Sequence, residues 1–136
     1  MSFTETELEY LATQRLGRLA TVQPDGMPQV NPVGFHYNMD TMTIDIGGHN
    51  MAASRKFRNV AENGRVAFVV DDILSIQPWR VRCVEIRGHA DALEPGPAAE
   101  LDGAIIRIHP RRIISFGLGD PDQDPHLLTP SKRNIA

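Results

Sequence analysis

Turn signals recur about every ten residues along this chain, and the segments between them have the composition of β-strands. Residues 24–26, 38–40 and 94–99 contain the Pro, Gly, Asn and Asp residues that favour tight turns. Five or six antiparallel strands at this spacing, with two short helices, predict a mainly β fold, a small β-barrel with flanking helices. The strands are predicted at residues 17–23, 28–37, 41–46, 66–70, 79–93 and 104–117.

Two of these strands have predicted places in the sheet. Pro32 lies inside strand 28–37, and because proline cannot donate to a β-ladder, this strand is expected at an edge or a bulge. Residues 66–70 are apolar without a break, which is typical of a central strand buried on both faces. Residues 71–78 are expected to form a loop.

The helices and the domain limits follow from local signals. Thr4 and Glu7 have the spacing of a capping box, which predicts a helix that runs to about Gln14. A second helix is expected soon after Gly47-Gly48, with Asn63-Gly64 at its end. Residues 1–117 are predicted to form one domain, and the proline- and aspartate-rich residues 118–136 an irregular tail.

Composition excludes several classes of protein. Hydrophobic content of 41% and charged content of 23% over 136 residues are ordinary for one soluble domain. The net charge of −3 argues against a general nucleic-acid binder. The single cysteine, Cys83, is expected to be a core thiol in a reducing compartment. Since no membrane-spanning run or signal peptide is recognisable, the sequence predicts a cytoplasmic protein without a membrane partner.

The start of the second helix is a candidate anion site. Unpaired N–H groups and the positive end of a helix dipole favour an anion there. Ser54, Arg55, Lys56 and Arg58 add a hydroxyl and three cations within two turns. The alternative is a surface helix with solvated charges, and the spacing is not that of a P-loop. The five histidines are scattered, so no metal site is expected, and no catalytic residue is assigned.

Three segments in the correct order resemble the pyridoxamine 5'-phosphate oxidase-like, FMN-binding split-barrel superfamily. They are LATVQPDGMPQVNPVGFHY at 19–37, SRKFRNVAENGRVAFVVDD at 54–72 and PWRVRCVEIRGHADAL at 78–93. The ending RIHPRRIISFG at 107–117 is similar to the small actinobacterial branch that depends on the deazaflavin coenzyme F420. The resemblance implies an FMN-binding split β-barrel and a homodimer with two equivalent cofactor sites at the subunit interface.

The resemblance also implies which residues contact the cofactor. Lys56 matches the family's phosphate lysine, whereas Ser54 stands where relatives often have arginine, so Arg55, His49 or Asn50 could replace that contact. Trp79 and Arg80 match a region that approaches the cofactor from the second subunit. The family strand that lies along the tricyclic ring corresponds here to Gln29, Val30, Asn31, Pro32 and Val33.

Three functions remain open at this point. The first is a reductase that transfers a hydride from reduced F420 to a conjugated organic substrate, with a flat polycyclic or tetrapyrrole-like molecule as the expected acceptor. The second is an FMN-dependent oxidoreductase of the same fold. The third is a non-catalytic F420- or flavin-binding protein. In the two enzymes the cofactor ring supplies the redox chemistry, so the protein needs no catalytic dyad of its own.

Overall fold

The computed structural model describes residues 2–95, 103–119 and 129–135. Within these residues two α-helices, α1 and α2, and a short 3-10 helix at Met51–Ala53 accompany eight strands, numbered β1 to β8 in chain order. The α-helices are Glu5–Thr13 and Arg55–Asn63. The strands are Leu16–Val22, Pro28–Gly34, His36–Asn38, Thr43–Ile46, Arg65–Ser75, Arg80–Leu93, Ile105–Phe116 and Ser131–Asn134.

The strands form one antiparallel sheet that curls into a barrel with an open seam. Its order is β2-β1-β5-β6-β7-β4-β3, and β8 pairs with β7. The two ends of this path, β2 and β3, are consecutive in the chain and separated only by Phe35. Because one residue joins the two outer strands, the sheet must curl until its ends approach each other. The predicted split β-barrel and the edge position of the strand with Pro32 are confirmed.

The inner face of the curled sheet is the hydrophobic core, and a helix covers each end. Tyr10 of α1 donates to Asp72 at the far end of β5, with 3.0 Å between Oη and Oδ1. Asn63 of α2 donates to the carbonyl of Val22 at 2.7 Å, near the start of β5. The two helices therefore close opposite ends of the barrel. The fully buried core side chains include Leu19, Ile44, Ile46, Phe68, Val70, Val84, Ile86, Ile106, Ile108 and Ile113.

The predicted capping residues and the predicted β1–β2 turn are confirmed. Thr4 and Glu7 form the predicted capping box of α1, in which each side chain accepts a bond from the other residue's N–H. Gly64 ends α2 with a φ of 70°, a left-handed conformation that glycine adopts without a Cβ clash. Gly26 completes the β1–β2 turn with a φ of 89°.

The prediction for residues 66–78 was wrong in two respects. The strand β5 continues to Ser75, so most of the expected loop belongs to a long hairpin with β6. Burial along β5 alternates, with Val66, Phe68 and Val70 inside and Ala67 half-buried on the outer face. The continuous apolar run therefore corresponds to a strand that is buried on its inner face only, because nothing within one chain covers its outer face.

The prediction of an irregular tail was wrong for residues 131–134, which form β8 and pair with β7. Arg133 of β8 forms an ion pair with the carboxylate of Glu7, and Ser115 of β7 donates to the same carboxylate at 2.6 Å. Burial alone would raise the pKa of Glu7, but the bonds from Arg133 and Ser115 outweigh it and lower that pKa. Residues 120–128 and 136 of the predicted tail lie outside the described residues. Among the described helices, none has the length and apolar character needed to cross a membrane.

Candidate functional site at the α2 start and the β2 edge

Ser54 caps the start of α2, where the positive end of the helix dipole lies. The Ser54 hydroxyl accepts from the N–H of Phe57 at 3.3 Å and donates to the Met51 carbonyl at 2.6 Å. Among the described hydrogen bonds, the N–H groups of Arg55 and Lys56 have no acceptor. Ser54 therefore fixes where the helix begins, and its hydroxyl is already engaged as a donor.

The first two turns of α2 carry three cations. Lys56 is half-buried, while Arg55 and Arg58 are exposed. None of the three is in an ion pair with a carboxylate of the described residues. Elsewhere Arg18, Arg82, Arg87, Arg107 and Arg133 all have acidic partners. The α2 start thus combines N–H groups and positive charges that have no partner among the described residues, and such groups are suited to binding a phosphate.

His49 and Asn50 lie on a neighbouring but separate surface. Both are exposed, and Asn50 has a left-handed backbone with a φ of 53°. They line a cavity of about 540 Å³ together with Glu94. Lys56 is not among the residues that line this cavity. Because Glu94 adds negative charge there, this cavity is less suited to a phosphate than the α2 start.

The strand β2 offers an open backbone edge. It pairs with β1 on one side only, so its other edge has no strand partner within the described residues. Val30 and Pro32 face outward and are exposed, whereas Gln29 and Asn31 are half-buried. The fifth predicted residue, Val33, is 7% exposed and packs in the core, so only its backbone is available to a ligand.

A polar contact joins β2 to α2, and sequence reasoning missed it. Asn59 is 1% exposed, and its Nδ2 donates to Thr21 Oγ1 at 3.0 Å and to Gln29 Oε1 at 3.2 Å. Gln29 Nε2 in turn donates to Asn31 Oδ1 at 2.8 Å. The available signal was an amide at position 59 between Phe57 and Val60, which are the buried apolar residues of α2. The start-to-middle part of α2 and the strand β2 are therefore linked by side-chain hydrogen bonds.

Trp79 and Arg80 lie at the opposite end of β5 from α2. They lie at the turn between β5 and β6, and β5 begins directly after α2. An extended strand of this length spans about 33 Å. Trp79 is 58% exposed, and two other apolar residues of this hairpin are exposed as well, Ile73 at 55% and Ile76 at 77%. A site that combines Trp79 with Lys56 would thus need a second copy of the chain.

An apolar cavity and a buried cysteine lie outside the start of α2. An apolar cavity of about 600 Å³ lies between α1 and β3, lined by Leu11, Phe35, Tyr37, Met39 and Met42, directly after the end of β2. Cys83 is buried as predicted, and burial raises the pKa of its thiol to about 11. The thiol is therefore protonated at neutral pH and is not an activated nucleophile.

The family model named Pyridoxamine 5'-phosphate oxidase matches residues 3–116 of the chain. The chain therefore belongs to this family, and it is an oxidoreductase of that class. A curated relative from Streptomyces rimosus subsp. rimosus, 5a,11a-dehydrotetracycline/5a,11a-dehydrooxytetracycline reductase, is 48% identical over 130 residues, which cover 93% of this chain and 92% of the relative.

Solved structures give the same fold. A conserved hypothetical protein from Mycobacterium tuberculosis aligns with a TM-score of 0.70 at 21% identity, over 90% of this chain and 89% of that one. A protein described as an F420 reductase aligns with a TM-score of 0.52 at 28% identity, over 71% of this chain and 86% of that one.

Proposed function

We propose that this protein is a cytoplasmic, homodimeric reductase that transfers a hydride from reduced F420 to a conjugated polycyclic substrate. The observation that carries the proposal is the 48% identity to a dehydrotetracycline reductase over nearly the whole of both chains. The F420 reductase among the structural neighbours supports the choice of cofactor. The substrate expected from the relative is an electron-poor enone within a fused ring system.

The α2 start is the proposed phosphate site. Lys56 and the free N–H groups of Arg55 and Lys56 fit a phosphate by charge and by hydrogen bonding. Ser54 contributes by capping the helix at this point, since its hydroxyl already donates to Met51. His49 and Asn50 are proposed as neighbours of the cofactor rather than as its main phosphate contacts, because Glu94 shares their cavity.

The open edge of β2 is the proposed contact for the tricyclic ring. Backbone groups of residues 29–33 that lack a strand partner can bind the polar edge of the ring, and Pro32 has no N–H that would need one. Reduced F420, when bound, supplies a hydride to one carbon of the acceptor's conjugated C=C bond. A proton from solvent goes to the other carbon, so the double bond becomes a single bond with two new C–H bonds.

The apolar cavity beside α1 is the proposed region for the acceptor. Its lining begins with Phe35, the residue directly after β2 in the chain. Phe35, Tyr37, Met39 and Met42 provide aromatic and thioether surface for a flat ring system. Its volume of about 600 Å³ is within the range of small-molecule pockets. A tetracycline-like molecule suits this lining better than a highly charged substrate.

The dimer is proposed because one chain leaves the site incomplete. Trp79 and Arg80 lie at the opposite end of β5 from α2 in their own chain, and a second copy would bring them to the cofactor. Ile73, Ile76 and Trp79 also form an exposed apolar surface along the β5–β6 hairpin, which a second copy would cover.

FMN is the second candidate cofactor. It shares with F420 a tricyclic ring, a ribityl chain and a phosphate, so the α2 start and β2 suit either molecule. F420 adds an anionic oligoglutamate tail, for which the exposed Arg55 and Arg58 are available. A protein that only stores the cofactor would bind it tightly and show no turnover.

The test is turnover of a dehydrotetracycline acceptor with reduced F420 or reduced FMN as the hydride donor. We expect the absorbance of oxidised F420 to rise with the loss of the substrate's conjugated absorbance, and reduced FMN to give no comparable rate. Turnover with reduced FMN alone would favour the second candidate. Tight binding of F420 without turnover of any enone would leave the storage function.

A further inference from the structure

Three side-chain amides form a directed chain from the middle of α2 to the middle of β2. Asn59 donates through Nδ2 to Gln29 Oε1 at 3.2 Å, and Gln29 donates through Nε2 to Asn31 Oδ1 at 2.8 Å. Asn59 is fully buried, whereas Gln29 and Asn31 are half-buried. We call Asn59, Gln29 and Asn31 the amide relay.

The direction of the relay determines which atom of Asn31 is left available. Since Gln29 Oε1 accepts from Asn59, the nitrogen of the Gln29 amide must point the other way, toward Asn31. Asn31 therefore accepts this hydrogen bond through Oδ1. Among the described hydrogen bonds, Asn31 Nδ2 has no partner, so Asn31 keeps two N–H donors available at the centre of segment 29–33.

Packing alone does not explain Asn59. Its Oδ1 is buried and has no hydrogen-bond partner among the described residues. A buried acceptor without a partner lowers the stability of the fold, and an apolar side chain at this position would avoid that loss. The side chain is thus better suited to directing Gln29 than to stabilising the interface between α2 and the sheet.

We infer that Asn59 is a positioning residue that acts through Gln29 to point the Nδ2 donor of Asn31 at an acceptor on the ring of the bound cofactor. The inference rests on the proposed function, in which the ring lies along residues 29–33. Both candidate rings have carbonyl oxygens that can accept such a bond. The relay also links the phosphate helix to the ring strand, so Asn59 affects ring binding without touching the cofactor.

A double-mutant cycle in the full-length protein tests this with neutral variants. Asn59→Leu and Asn31→Ala should each raise the dissociation constant for F420 by about 5- to 10-fold, as expected for one hydrogen bond. The double variant should be no weaker than the weaker single variant, because both changes remove the same bond. Both single variants should also shift the absorption maximum of the bound cofactor in the same direction.

Thr21→Val is the matched control. It removes the other acceptor of Asn59 Nδ2 and leaves the relay intact, so the melting temperature should fall while the dissociation constant stays within about twofold. Should Asn59→Leu fail to fold, Gln29→Met breaks the relay at a half-buried position and should reproduce its effects. Multiplicative effects in the cycle, or wild-type affinity in Asn59→Leu or Gln29→Met, would overturn the inference. Wild-type protein that binds neither F420 nor FMN would instead refute the proposed function.

Discussion

Lys56 should contribute to cofactor binding and hardly at all to folding. It is half-buried at the first turn of α2 and has no acidic partner among the described residues. Lys56→Ala should therefore lose a charge-assisted phosphate contact of about 1.5–3 kcal/mol. The free energy of unfolding should change by less than about 0.5 kcal/mol.

Fluorescence titration with F420 and FMN measures the affinity, and urea unfolding measures the stability. Arg58→Ala is the control, since Arg58 is exposed on the same helix, and it should leave FMN binding unchanged. Equal dissociation constants for wild type and Lys56→Ala with both cofactors would rule out the phosphate assignment.

At the residue scale, the sequence predicted the structural roles of some residues better than those of others. Capping residues such as Thr4 and Gly64 act on neighbours three or four positions away, so the local pattern is enough to find them. Asn59 bonds to residues 38 and 30 positions away, and no local pattern reports such contacts. Val33 shows a further difficulty, since strand alternation decides that its side chain faces the core.

At the scale of elements, the ion pair between Glu7 and Arg133 should hold β8 against β7 and α1. The pKa of Glu7 is lowered below its usual 4.5, so its stabilising effect is present at neutral pH and is lost as the pH falls below about that value. Glu7→Gln should therefore destabilise the protein by about 2 kcal/mol at pH 7. The difference from wild type should shrink as the pH falls toward 3.

Urea unfolding from pH 7 to pH 3 measures this difference. Glu9→Gln is the matched control because Glu9 is exposed on the same helix, and it should stay close to wild type at pH 7. A wild-type advantage over Glu7→Gln that is the same at pH 3 and pH 7 would mean that the charge of Glu7 contributes nothing.

Two of the errors in the predicted elements, the end of β5 and the missing β8, have one cause. The extension of β5 to Ser75 depends on pairing with β6, and β8 depends on pairing with β7. Strand pairing between distant segments is a tertiary interaction, so residues with weak strand preference such as Asp71 or Lys132 can still form strands. Helix starts and tight turns lack this dependence, which is why their prediction succeeded.

At the scale of the whole molecule, the exposed hairpin surface predicts a dimer at micromolar concentration. Sedimentation equilibrium should report twice the 15.1 kDa mass of the chain. Ile76→Glu and Trp79→Glu should shift the protein toward monomer and weaken F420 binding together, because a charge on a buried interface is unfavourable. Met39→Glu, at an equally exposed apolar residue elsewhere, should remain dimeric. A monomeric wild-type protein would contradict the proposal that two copies share the cofactor site.

The most direct test of the proposed cofactor site is a crystal structure of the protein with F420. We expect the phosphate at the start of α2 within hydrogen-bond distance of Lys56 and the N–H groups of Arg55 and Lys56. The ring should lie along residues 29–33, with Trp79 contributed by the second copy. A phosphate in the cavity of His49 and Glu94, or a ring on a strand other than β2, would contradict the account.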